Sequence, residues 1–323
     1  MFSPSVRTVV ILLAGVVVLG CFHHAQKAQP TARGQRQIVF DSKRDGTQEI
    51  YVMDPDGSNQ QRLTRALAKD GSWHPAWSPD GKKIAFSSNR DGTPELYLMD
   101  ADGSNVKRLT HTAEKRTVNE CADWSPDGRR IAFCSSRDGK GEIYVMDADG
   151  SNLRRLTHTP GVDKASANPD WSPDGQQIAF ASTRDGKSHD WTESEIYVMA
   201  SDGANVRALT RTPAKGNWTP RWHPDGKKII FCSNRGAEPE RSEDAYEIYV
   251  MHADGSNVRQ LTTHERSATR PHWSRDGKKV VYHSARDGNP KDWKDHEIYV
   301  MDADGSNVRR LTFNKAIDGH PAW

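Results

Sequence analysis

The stretch IAFSSNRDGTPELYLMDADGSNVKRLT occupies residues 84–110. Close copies stand at 38–64 (IVFDSKRDGTQEIYVMDPDGSNQQRLT) and 131–157 (IAFCSSRDGKGEIYVMDADGSNLRRLT), and three more begin at Ile178, Ile229 and Val280. The six copies follow one another at about 47 residues at first and about 51 later, the period of four-stranded propeller blades. Within a copy, IAFSS is an apolar run between turn residues, EIYVMD is rich in strand-forming side chains, and VKRLT closes the unit. DADGSN and the SPDG that precedes most copies read as tight turns. Proline presets φ, Asp and Asn bond nearby backbone groups, and glycine takes the left-handed position.

Outward from each copy lies a tryptophan segment: HPAWSPDG (74–81), CADWSPDG (121–128), NPDWSPDG (168–175), TPRWHPDG (219–226), RPHWSRDG (270–277) and GHPAW (319–323). Each supplies a fourth, inner strand. The expected fold is therefore all-β: a six-bladed β-propeller of four-stranded antiparallel blades over residues 38–323, in which radial packing leaves only short edges. The first copy has no tryptophan segment before it, and GHPAW has no second strand after it. The two fragments are expected to complete one blade, with residues 321–323 pairing with the first copy (38–64), Trp323 as the buried anchor and His320 opposite Asp41. Pro321 is tolerable there because an inner strand has one edge free at the channel.

Taken together, WSPDG, IAFSS, RDG, EIYVMDADGSN and RLT resemble the WD-like repeat of the TolB-like propeller family, and the likeness covers residues 38–323. It implies the propeller fold and a binding role in the bacterial envelope, with a Pal-like partner by analogy. TolB proteins carry an additional α/β domain before the propeller, associated in that family with TolA. Here a tether is expected to lead directly into the first blade.

That tether, residues 21–37, is polar and aperiodic. Before it come Arg7 and an apolar run from Val9 to Leu19, too short to span a bilayer as a helix but the length of a signal-peptide core. Val18-Leu19-Gly20-Cys21 looks like a lipoprotein signal with Cys21 as the lipidated residue. Cleavage without lipid is the alternative. Residues 1–20 are thus expected to be removed and the chain to be periplasmic, held at the outer membrane only by lipid. Phe22 follows the cysteine, so the aspartate that retains many lipoproteins at the inner membrane is absent. The chain is read as a monomer. Charge is near balance, with 45 basic and 43 acidic residues interspersed, so no basic stripe suited to nucleic acid is evident.

Six internal copies act as a control on tempting motifs: a residue present in all of them belongs to the scaffold. DADGSN lacks the third acidic position of an EF-hand, and the twelfth place counted from Asp100 is His111 rather than glutamate. It is a turn. Arg44, Arg90, Arg137, Arg184, Arg235 and Arg286 recur with Glu49, Glu95, Glu142, Glu195, Glu247 and Glu297, and are read as a structural pair within each blade. Trp77, Trp124, Trp171, Trp222, Trp273 and Trp323 are read as core between blades.

Four tryptophans fall outside that ring. In an antiparallel meander, SPDG and DADGSN share one face, while the second-to-third and fourth-to-first connections share the other. Trp73 and Trp218 lie in fourth-to-first connections, Trp191 and Trp293 in second-to-third ones, so all four land on the second face. There the middle connections lengthen from RDGTQE, RDGTPE and RDGKGE to RDGKSHDWTESE, RGAEPERSEDAYE and RDGNPKDWKDHE. Variable aromatic-bearing loops on one end of a rigid scaffold are where binding resides.

Just before the ring tryptophans stand Ala76, Asp123, Asp170, Arg221, His272 and Ala322, and two residues earlier His74, Cys121, Asn168, Thr219, Arg270 and His320. These positions are expected to surround the upper channel, either as a ligand site or as water-filled lining. The first functional class is a non-catalytic envelope module in which Trp73, Trp191, Trp218 and Trp293 grip a protein, peptide or glycan, and Asp123, Asp170, Arg221, Arg270 and His272 give polar specificity. Its alternative is that the tryptophans pack the loops down. The second class follows from the resemblance of TolB-like propellers to oligogalacturonate lyases, whose channel histidines hold a metal. It implies a metal-dependent carbohydrate-active enzyme with His74, His272 and His320, joined by Asp123 or Asp170, around a divalent ion such as Zn, Mn or Ca. The first class needs no cofactor. Neither a G-x-S-x-G elbow nor a phosphate-binding glycine loop is present.

With Cys21 lipidated, Cys121, Cys134 and Cys232 remain, an odd count. A two-residue turn at Asp127-Gly128 would set Trp124 opposite Ile131 and Cys121 opposite Cys134, permitting a disulfide. A bulged turn would put them on opposite faces. The same register places Cys232 opposite Thr219 as a buried free thiol.

Overall fold

The structure, a computed structural model, describes residues 37–66, 70–112, 116–161, 163–186, 191–213, 215–236, 246–263, 267–286 and 296–323. Six four-stranded antiparallel sheets form the propeller. In chain order the first blade contributes β1 (Ile38–Ser42), β2 (Glu49–Met53) and β3 (Gln61–Arg62), and the second β4 (Ser72–Trp77), β5 (Lys83–Ser88), β6 (Glu95–Asp100) and β7 (Lys107–Arg108). The remaining inner strands are β8 (Asn119–Trp124), β12 (Ser166–Trp171), β16 (Asn217–Trp222), β20 (Ala268–Trp273) and β24 (Asp318–Ala322). β24 pairs with β1, so the first sheet runs β24-β1-β2-β3 and the ring closes as the two half-blades require.

The middle strands are continuous apolar runs because both of their faces are covered by neighbouring blades. Trp77 packs with Ile84 and Phe86 of its own blade and with Val39, Ile50 and Val52 of the blade before it. At the closure, Ile38, Phe40 and Met53 meet Val281, Ile298 and Leu311, and Trp323 lies against this cluster. Trp323 is only partly buried, whereas Trp77 and Trp124 are 7% exposed and Trp273 is 4% exposed.

In four blades the bracket uses a different arginine from the one expected, and the fourth and fifth blades carry Ala208 and Gln260 at its position. Glu49, Glu95, Glu142 and Glu297 pair with Arg62, Arg108, Arg155 and Arg310 of the outer strand, at 2.6 to 2.9 Å. Each glutamate also accepts from the threonine two residues beyond that arginine. The arginine of RDG instead lies over its blade's aromatic pair, as Arg44 does over Phe40 and Tyr51 at 5.3 and 4.8 Å. Sequence proximity to the glutamate was misleading, since antiparallel pairing brings the outer strand alongside it.

Every inner strand carries a β-bulge. In β8, Glu120 opposes Cys134 and Asp123 opposes Ala132, so three steps on one strand face two on the other. The residue three before each ring tryptophan has a left-handed φ: His74, Cys121, Asn168, Thr219, Arg270 and His320 lie between 47° and 57°. The bulge sits inside the strand rather than in the turn, and it removes Cys121 from the position opposite Cys134. Both are free thiols, as is Cys232. At the closure Asp41 likewise opposes Gly319 rather than His320, and Cys232 opposes Trp218 rather than Thr219. The local contacts survive the shift: His320 Nδ1 is 2.6 Å from Asp41 Oδ1, and Thr219 Oγ1 is 3.2 Å from Cys232 Sγ.

Candidate channel and loop-face site

The bulge turns one residue per blade into the channel. His74, Cys121, Asn168, Thr219, Arg270 and His320, with Arg221, line a constriction whose free volume is about 30 Å³, room for an ion or a water molecule or two. Left-handed φ in non-glycine residues costs about 1–3 kcal/mol each, and it is strongest as an anomaly at β-branched Thr219. Because all six blades share it, the conformation belongs to the scaffold and only the side chains differ.

On the SPDG side of this constriction lies a wider space of about 200 Å³, lined by Asp123, Asp170, Arg221, His272 and the ring tryptophans. The upper-channel group therefore divides. Asp123, Asp170 and His272 lie toward the tight turns, away from the loop-face tryptophans, and Arg221 lines both spaces. The two carboxylates are also engaged. Arg221 Nη1 stands 2.9 Å from Asp170 and 3.5 Å from Asp123. Asp123 accepts the backbone N–H of Trp171 at 2.8 Å, and Asp170 that of Trp222 at 2.5 Å. Each thereby ties one blade to the next. Burial pushes the Asp123 carboxyl up to about 8, aided by the nearby Asp170 and opposed by Arg221. Burial likewise raises Asp170 against the pull of Arg221.

His272 does not join His74 and His320. Its Nδ1 lies 2.9 Å from the carbonyl of Trp273 and 3.3 Å from the backbone N of Trp323, and burial with the charge of Arg221 lowers its pKa to about 3. The expected three-histidine set is thus not assembled. His74 and His320 do meet, edge to face at 4.0 Å, and His283 and His296 continue the cluster at 5.8 and 5.2 Å. Burial holds His74, His283 and His320 well below the usual imidazole value, so they are neutral at physiological pH. Burial raises Asp41 and lowers His320, so it disfavours the charged form of both partners in their contact. His283 was missed because it breaks the IAFSS pattern in the last copy (VVYHS), where the other copies have Asp41, Ser87, Cys134, Ala181 and Cys232.

At the loop face, Trp191 begins a short 3-10 turn (Trp191–Glu193) and lies 5.3 Å from Trp218. Tyr246 meets Trp218 edge-on at 5.8 Å and accepts its indole N–H at 3.1 Å. Trp73 donates to Glu120 Oε2 at 3.4 Å. All three tryptophans are half-buried. Phe313 was overlooked: it is 74% exposed, and it stands where the other copies have Arg65, His111, His158, Arg211 and Thr263. Trp293 and Cys21 lie outside the described residues.

Against solved structures, the chain is similar to TolB from Acinetobacter baumannii, with TM-score 0.71 and 26% identity over 89% of this chain and 66% of that one. A putative TolB from Agrobacterium tumefaciens gives TM-score 0.65 and 26% identity over 86% and 88%. An oligogalacturonate lyase in complex with manganese shares the fold, at TM-score 0.55 and 20% identity over 86% and 73%. Among curated relatives, the uncharacterized protein Atu1656 of Agrobacterium fabrum is 34% identical over 105 residues, 32% of this chain. The uncharacterized peptidase YuxL of Bacillus subtilis is 32% identical over 80 residues, 22% of this chain. These matches span 33% and 11% of those proteins' lengths, a third or less. The family described as the TolB beta propeller domain matches residues 18–119, 110–192 and 240–323, and this chain belongs to it.

Proposed function

We propose that the protein is a non-catalytic binding module of the bacterial cell envelope, presenting its loop face to a protein, peptide or glycan ligand. The observation that carries this reading is the difference between the two faces. On one, each SPDG-type turn repeats the same bonds, as in Gly81 N to Ser78 O at 2.9 Å and Gly128 N to Ser125 O at 2.8 Å. On the other, the middle connections differ in length and one carries half-buried Trp191, while half-buried Trp73 and Trp218 stand at the loop-side starts of inner strands β4 and β16 and Phe313 is exposed. Aromatic bodies with polar tips suit both a sugar ring and a peptide. The channel carboxylates Asp123 and Asp170 are occupied by Arg221 and backbone N–H groups, which favours scaffold over acid–base chemistry.

In this reading the chain is exported by residues 1–20, acts in the periplasm as a monomer, and is anchored to the outer membrane by lipid on Cys21. No helix among the described residues is long and apolar enough to cross a membrane. A Pal-like partner is what the family suggests. The test is capture from envelope extract and from a muropeptide mixture on immobilised protein. A specific species retained by wild type and lost with Trp191→Ala/Trp218→Ala, while Asn105→Ala on the turn face keeps it, is the expected result. Equal retention by all three proteins overturns the proposal.

A further inference from the structure

The loop-side mouth of the channel holds a second feature that the binding reading leaves unused. His74 Nδ1 lies 3.5 Å from Cys121 Sγ and 3.6 Å from Glu120 Oε2. The three ligand atoms lie within 4.8 Å of one another. With metal–sulfur bonds of about 2.3 Å and metal–nitrogen or metal–oxygen bonds of about 2.0–2.2 Å, tetrahedral ligands stand roughly 3.3–3.6 Å apart. The two measured separations have that span.

Backbone geometry explains how the trio forms. In a regular strand Glu120 and Cys121 would point to opposite faces. The bulge between Glu120 and Asp123 and the left-handed φ of 57° at Cys121 break that alternation, so both side chains reach His74 of the preceding blade. The bulge is common to all six inner strands, but the side chains are not. The corresponding pairs elsewhere are Trp73-His74, Ala167-Asn168, Trp218-Thr219, Thr269-Arg270 and Gly319-His320. Only the second and third blades set a histidine beside a cysteine and a glutamate. Trp73 donates to the same Glu120 oxygen at 3.4 Å, the outer-shell support that orients a ligating carboxylate.

We propose that His74, Glu120 and Cys121 form a transition-metal site, with zinc the best-suited ion. A thiolate with an imidazole and a carboxylate selects a borderline ion such as Zn(II) over Ca(II) or Mg(II). Three protein ligands leave a fourth tetrahedral position for water or a ligand. Binding releases the thiol proton of Cys121 to solvent, so affinity rises with pH. The site is distinct from the histidine set expected from sequence: it keeps His74, excludes His272 and His320, and adds a thiol.

Stoichiometry alone does not decide the matter, because Cys21, His23 and His24 of the full chain also offer ligands. The deciding measurement is Co(II) loading of the full chain, read by the thiolate-to-cobalt charge-transfer band in the near ultraviolet, with Zn(II) displacement and competing Ca(II) and Mn(II). Wild type and Cys232→Ala are expected to show the band and lose it to Zn(II) but not to Ca(II). Cys21→Ala/Cys121→Ser is expected to lack the band, and Glu120→Gln to keep it with weaker binding. Outer-shell changes cost about 10–100-fold in affinity, so loss of the thiolate should cost more. A band that persists in Cys21→Ala/Cys121→Ser, or no band in Cys21→Ala alone, overturns the proposal. Thermal melts of the apo variants check that each remains folded.

Discussion

Five blades are continuous through their inner turn, and the first is not. Where β4 runs into β5 through Ser78-Pro79-Asp80-Gly81, β24 and β1 come from the two ends of the propeller and meet only by pairing. Side chains at this seam differ in kind from their counterparts. The RDG arginine reaches the first residue of the inner strand in several blades: Arg90 to Ser72 at 3.1 Å, Arg137 to Asn119 at 2.8 Å and Arg235 to Asn217 at 2.7 Å, all neutral acceptors. At the seam the acceptor is a carboxylate, Asp318, 2.8 Å from Arg44 and fully buried. His320 adds its bond to Asp41, which Gln48 also holds at 2.6 Å. On the turn face, Arg275 replaces the proline of SPDG. It bonds Ser78 O at 3.1 Å and Pro79 O at 2.5 Å, joining the two blades that flank the seam. Where the backbone supplies no link, charged side chains do.

The strongest way to break this comparison is to remove the strand. Deleting residues 319–323 takes Trp323 and most of β24, and is expected to lower Tm by about 10 °C or more. Calorimetry showing an unchanged melt would refute the closure. A lesion of comparable kind away from the seam comes next. Arg221→Met strands two buried carboxylates in the continuous blades and should cost about 3 kcal/mol, the low end of the usual range for a buried pair because the group is partly accessible. Both carboxyls are raised above their unfolded values. The folded state therefore holds the proton more tightly, and the variant's deficit should shrink as pH falls from about 8 toward about 4. Urea titrations at several pH values check the sign, and a deficit that grows on acidification would rule out this account.

Asp318→Ala against Ser72→Ala compares the seam acceptor with its neutral counterpart directly. About 2–3 kcal/mol is expected for the first and about 1 for the second. Equal losses in denaturant titrations would mean that the seam has no special dependence on its charge. The smallest effect is expected from Arg275→Pro, which restores the turn sequence of the other blades and removes the strap. A loss of about 1 kcal/mol despite the better turn residue is predicted, and a gain in stability would assign Arg275 no role at the seam.

Repetition made the propeller legible before any coordinates. Six copies with period-marking turns define four strands each, and the unmatched halves at Ile38 and Trp323 imply the closing pair. The site was less legible. Trp73, Trp191 and Trp218 do share a face, because strand direction alone decides that. The channel group was legible only in part: His74, Cys121, Asn168, Thr219, Arg270 and His320 line the constriction, Asp123, Asp170 and His272 lie on the turn side, and a single inserted residue in each inner strand shifts register. That one residue separates Cys121 from Cys134, moves His320 off Asp41's pairing position, and sets Glu120 and Cys121 on one side. Nothing in the local sequence marks it, since Cys, Thr and Arg rarely adopt left-handed φ.

Sequence by itself determined the blade count, the strand order, the turns and the ring of tryptophans, because these depend on local turn chemistry and on an apolar strand pattern repeated six times. Only the tertiary structure decided which arginines bracket Glu49, Glu95, Glu142 and Glu297, which histidines meet, and that Asp123 and Asp170 share Arg221. Those contacts join residues of separate strands or separate blades, brought together when the ring closes, and no spacing along the chain encodes how six inner strands converge on one axis.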